Sequence, residues 1–140
     1  FLAFYLACGV AASYIHTAVE LLAQHPLNIP CVGASGAISG VLGAYLLFFP
    51  RSSVNVMALS LLGFPLILPV PAALFLALWF AFQLWMGMVT LALPYAVGVA
   101  FWAHVGGFVA GMLLASPLRR RRRVVFSGRI WYEIPIETSG

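Results

Sequence analysis

Lysine and aspartate are absent from these 140 residues, and only three acids occur, Glu20, Glu133 and Glu137. Charged side chains make up 7% of the chain, where a soluble domain carries about a quarter. Hydrophobic residues reach 64% and the mean hydropathy is +1.06. So few charges cannot cover a water-facing surface, which excludes an ordinary soluble domain and leaves an integral membrane protein. The two cysteines, Cys8 and Cys31, are too few for a disulfide framework and lie in or beside apolar sequence, so they read as packing residues. No basic region or small-residue cleavage site precedes the apolar run that opens at Phe1. That start reads as a membrane segment met at its front edge, within a longer native protein, and not as a signal peptide.

The charge that is present is concentrated. Five of the seven arginines form the run Arg119 to Arg123, so the net +4 describes a tail and not a surface. Such a run beside a membrane span attracts anionic lipid, and in so apolar a chain it does not indicate nucleic-acid binding.

Read in order, residues 1–22 carry no charge before Glu20 and are long enough to cross a hydrocarbon core, which needs about 20 residues. The loop Gln24 to Pro30 follows, with two prolines. A glycine-rich second span covers 33–49 and ends at Pro50 and Arg51. Residues 54–70 are apolar but contain Gly63, Pro65 and Pro69, with Pro71 directly after. Prolines remove backbone donors, which lipid-exposed backbone tolerates poorly, so an interfacial loop is expected there. Aromatic-rich 71–93 and then 97–116 complete four spans, with Pro94 at the turn between them. The expected architecture is an all-α polytopic bundle over 1–116 followed by a basic tail, 117–140. With four spans, Arg51 and Arg119 to Arg123 fall on one side, and positive charge marks the cytoplasm. A fifth span through 54–70 would put the arginine run outside.

In this topology the second and fourth spans run in the same direction. Ser35 lies 15 residues before Pro50, and His104 lies 15 residues before Arg119. At 1.5 Å per residue both sit about 22 Å above the cytoplasmic flank, inside the membrane and nearer its external face. Gly36, Gly40 and Gly43 form one smooth row, and Gly107 and Gly111 form another below His104. Two such rows allow close helix packing. An imidazole could then take the proton of the serine hydroxyl as it attacks a carbonyl. Free N–H groups at the helix start, with Ala34, Ser35 and Gly36 as backbone support, are candidate donors to the oxyanion. Alone, the glycine rows argue mainly for packing, and an intramembrane histidine also fits a proton path, a metal or a structural contact. The shared depth is what adds the catalytic reading.

Gly33-Ala34-Ser35-Gly36 with Gly40 and Gly43, followed by Ala103-His104-Val105-Gly106-Gly107 and Gly111, resembles the rhomboid intramembrane serine proteases. The resemblance runs from Phe1 to about Leu114 and takes in the Phe49-Pro50-Arg51 exit and the aromatic span with Trp79 and Gln83. It implies a multi-pass protein, expected in a bacterial inner membrane with a cytoplasmic C-terminus. The implied activity is cleavage of transmembrane protein substrates near the external face by a Ser35–His104 dyad, without cofactor or metal. The absence of aspartate suits a dyad better than a triad. Family cores have six helices, so the four spans here correspond to the later two thirds. The helix that supplies a His and an Asn to the oxyanion site would precede Phe1; His16 does not inherit that role, and this segment alone is not expected to be active. His25 is expected in solvent or near the active-site mouth, with Glu20 at the interface. The loops 24–32 and 92–96 are the expected water access. Phe75, Trp79 and Phe82 share a helical face that reads first as packing or lipid contact, and by resemblance Trp79 and Phe82 would plug a lateral gate. A rhomboid-like pseudoprotease that retains membrane clients and a small transporter or channel subunit are the alternatives. Oligomeric state is left open.

Overall fold

The computed structural model describes residues 1–25, 33–59, 64–92, 99–118, 122–126 and 131–135. The chain is mainly helical, with α1 (Leu2–Leu22), α2 (Ala34–Phe48), α3 (Ala72–Ala92) and α4 (Phe101–Ala115). Two antiparallel hairpins accompany them: β1 (Ser53–Leu59) with β2 (Pro65–Pro71), and β3 (Arg122–Phe126) with β4 (Trp131–Pro135). Among the described residues, three helices are long and apolar enough to cross a membrane: Leu2–Leu22, Ala72–Ala92, and α4 continued by a 3-10 turn, Phe101–Leu118. The protein is therefore a multi-pass membrane protein with the helical bundle its composition requires.

The second expected span, 33–49, is the short helix α2 of 15 residues, about 22 Å long, against a hydrocarbon core of about 30 Å. It need not span alone, because α1 and α4 pack on it. The final helix begins at Phe101 and not at 97, with Val99 and Ala100 outside it.

Residues 54–70, expected as an interfacial loop, hold a β-hairpin instead. Ser53 pairs with Pro71, Asn55 with Pro69 and Leu59 with Pro65. The ladder continues into a hydrogen bond from Ala72 N–H to Ser52 O of 2.7 Å, so the bonded positions are the even-numbered ones. All three prolines are odd-numbered, and their missing donors face out of the ladder, where none is needed. Alternation of proline thus permits the ribbon that the proline content alone argued against. In the tail, of 117–140, the described backbone consists of the end of the 3-10 turn and the hairpin of β3 and β4; Arg119 to Arg121 lie outside the described residues.

The core is a close three-helix contact. A Cβ on Gly107 would run into the Gly36 carbonyl, one on Gly111 into the Gly40 carbonyl, and one on Gly43 into the Phe108 carbonyl. These are backbone obstacles, so α2 and α4 touch main chain to main chain and run parallel. On the other side of α2, Gly40 faces Cys8, and Gly36 faces Ala12, both buried. This sets α1 antiparallel to α2. Gly106 abuts Ile15, tying α1 to α4 as well. Helix α3 packs antiparallel on α4, with Phe80 stacked on Phe108 at 4.8 Å between centroids and Trp102 Nε1 donating to Gly87 O at 3.1 Å. The outward faces carry Leu2, Leu6, Val10, Tyr14, Leu78 and Trp85, an apolar exterior suited to lipid.

Gly111→Ala is expected to destabilise the bundle by about 3 kcal/mol, the upper part of the usual overpacking range, because a carbonyl cannot rotate away as a side chain can. Gly33→Ala, whose nearest obstacle is Ser13 Oγ at 3.5 Å, is expected to change stability by less than about 0.5 kcal/mol. Unfolding midpoints in mixed micelles would check the pair.

Candidate active site at the heads of two parallel helices

Ser35 is the second residue of α2, and His104 is the fourth of α4. Because the two helices are parallel and in backbone contact, their heads lie side by side. Ser35 Oγ is 2.9 Å from His104 Nε2, across 69 residues of sequence. Three other helix hydroxyls, those of Ser13, Ser39 and Thr90, behave differently. Ser13 donates to Gly9 O, Ser39 to Ser35 O and Thr90 to Gly87 O, each within its own helix. That local bond is the usual resting place of an intramembrane hydroxyl. Ser35 is too near the start of α2 to find the same acceptor among the described residues, and its hydroxyl meets an imidazole.

The imidazole is held on several sides. Its Nδ1 is 2.9 Å from Gln83 Oε1 of α3. The Trp79 ring lies 6.2 Å away and tilted by 34°, and Phe101 meets it edge-on at 6.4 Å. Gln83 is 6% exposed, a buried amide in an otherwise apolar stretch. Sequence reasoning noted Gln83 only as part of a resemblance and missed its contact with His104. The available signal was its polarity at mid-span, which is costly in a membrane unless partnered.

Around Ser35 the backbone is open on one side. Gly33 is the N-cap without a side-chain cap bond. The Gly36 N–H is taken by Gly33 O at 3.2 Å, so Gly36 shapes the site without a free donor. The N–H groups of Ala34 and Ser35 have no acceptor among the described residues. Beside them is a groove of about 450 Å³ bounded by Tyr5, Gly9, Ser13, Gly33, Ala34 and Ala37. Gly40, Gly43, Gly107 and Gly111 lie below the pair, in the contact that fixes its spacing.

Of the aromatic face, Trp79 turns toward the site and also touches Phe108 at 5.9 Å. Phe82 is 54% exposed and meets Phe101 edge-on at 6.4 Å. His25, expected in solvent or near the active-site mouth, is not solvated: it is bound at 2.7 Å to Glu20, with its side chain 11% exposed. Gln24 adopts a left-handed φ of 58°, and His25 N–H reaches Glu20 O, so side chain and backbone close the same turn at the end of α1. His16 lies on this cluster too, 3.7 Å from Glu20. The expected water-access loops fall largely outside the described residues, as does Cys31; Cys8 is a buried free thiol.

Comparison with known protein families matches residues 1–121 to the rhomboid domain. No curated protein and no solved structure matches the chain. The matched stretch includes all four helices and both residues of the Ser35–His104 contact, and on that match the chain belongs to the rhomboid family.

Proposed function

We propose that this protein is an intramembrane serine endopeptidase that hydrolyses a peptide bond in transmembrane protein substrates. The observation that carries this reading is the 2.9 Å contact between Ser35 Oγ and His104 Nε2. Ser35 is the nucleophile and His104 the general base. As Oγ attacks the scissile carbonyl carbon, its proton passes to Nε2. The tetrahedral oxyanion forms beside the head of α2, where the N–H groups of Ser35 and Ala34 serve as its donors. The protonated imidazole then gives its proton to the leaving amine, which departs as the C–N bond breaks and an acyl ester remains on Ser35. Water enters, loses a proton to Nε2 and attacks the ester; collapse returns the proton to Oγ and releases the acid. These proton transfers close with two side chains and need no cofactor.

The orientation that fits this reading puts Arg51 and Arg119 to Arg123 on the cytoplasmic side of a bacterial inner membrane, with anionic lipid at the arginine run. The site then opens toward the external face. Trp79 and Phe82 flank the lateral entry of a substrate segment; the exposed edge of Phe82 is what supports that role.

Two outcomes test this function. In the full-length protein reconstituted in liposomes with a transmembrane reporter, Ser35→Ala and His104→Ala should each lower cleavage by at least about a thousandfold, the scale on which such nucleophile and base pairs fail. Cleavage that survives Ser35→Ala would refute the assignment. Transport dependent on His104 and indifferent to Ser35 would instead identify a channel or transporter subunit. Replacing Trp79 and Phe82 together with alanine should alter cleavage of the transmembrane reporter several-fold, read as initial rates; an unchanged rate would remove the gate.

A further inference from the structure

We propose that Gln83 positions His104 by accepting a hydrogen bond from its Nδ1–H, which fixes the tautomer in which Nε2 is free to take the Ser35 proton. This rests on the reading of Ser35 and His104 as nucleophile and base. A neutral imidazole carries one proton on either nitrogen. Only the form with the proton on Nδ1 can act as base toward Ser35, because the other presents an N–H to Oγ and leaves no lone pair there. Gln83 Oε1 is 2.9 Å from Nδ1, and an amide oxygen can only accept. The bond therefore selects the competent tautomer and survives when Nε2 gains its proton, since Nδ1 donates in both states.

Other neighbours of the ring do not offer this. Trp79 and Phe101 meet it with aromatic rings, and an indole nitrogen donates without accepting. Ser39 is committed to Ser35 O at 2.8 Å. Gln83 is also placed to be rigid. It is buried, and Trp79 and Phe80 on one side of it in sequence and Gly87 on the other fix α3 against α4. The register that sets Trp79 on Phe108 and Gly87 on Trp102 sets Gln83 at His104. In a chain with no aspartate, a neutral amide takes the orienting place that a carboxylate fills in a Ser-His-Asp triad.

The first test does not depend on activity. Histidine labelled with ¹⁵N in the full chain, reconstituted in lipid at about pH 8, above the ordinary histidine range, should show His104 protonated on Nδ1 alone, with the resonance identified by its loss in His104→Ala. In Gln83→Leu the two tautomers should mix. A wild-type His104 protonated on Nε2 would overturn the proposal, as would a tautomer unchanged by Gln83→Leu. Kinetically, Gln83→Leu should lower kcat by about 10- to 100-fold, the scale of one lost hydrogen bond to a charged group, with KM unchanged. Gln83→Glu, which keeps an acceptor at this place, should recover most of the loss. Equal impairment by leucine and glutamate would contradict a positioning role. If neither wild type nor any variant of the full-length protein cleaves the reporter, the protease reading fails, while the tautomer measurement still decides what Gln83 does to His104.

Discussion

Main-chain contact between α2 and α4 is the constraint on which the rest of this protein depends. Gly107 and Gly111 leave room for the carbonyls of Gly36 and Gly40, and Gly43 leaves room for that of Phe108. Within a bilayer, lipid tails are as apolar as the helices, so association is driven by packing and by hydrogen bonds. Absence of Cβ atoms lets two helix backbones approach closely enough for a short serine side chain to reach a histidine on the neighbour. A wider crossing would take His104 Nε2 out of reach of the Ser35 hydroxyl. Packing and chemistry are thus two consequences of one glycine pattern.

The site is built in layers from that contact. The glycine rows set the distance between helices, the parallel direction sets Ser35 and His104 at one depth, and α3 closes over the imidazole with Trp79 and Gln83. On the opposite side, the start of α2 is left open toward a groove. One side of the serine is occupied by its base, while the residues just before it, Gly33 and Ala34, line the groove and carry helix-start donors without an acceptor among the described residues. That asymmetry suits a nucleophile that must receive a carbonyl from one direction while its proton leaves in another.

Much of this was legible in the sequence because the informative signals were periodic or rare. Composition fixed the membrane class, glycine spacing revealed the smooth faces, and counting back from Pro50 and Arg119 put Ser35 and His104 at one level. The hairpin at 54–70 was not legible from proline content, because what matters is parity: Pro65, Pro69 and Pro71 all occupy positions whose donors point out of the ladder. Gln83 was visible as a polar residue, but its partner depends on the register of α3 against α4, which large aromatic contacts decide. The burial of His25 was not legible, because a left-handed Gln24 turns it back onto Glu20, and nothing in that residue's chemistry announces such a turn.

The most direct test of the account is to treat the full chain in lipid with a fluorophosphonate and locate the adduct by peptide mass spectrometry. A serine activated by His104 should carry the phosphonyl group at Ser35 and at no other hydroxyl, and the adduct should vanish in His104→Ala. An unmodified Ser35, or a phosphonyl group on Ser39 or Ser13 instead, would contradict the claim that the glycine contact exists to hold a reactive serine against its base.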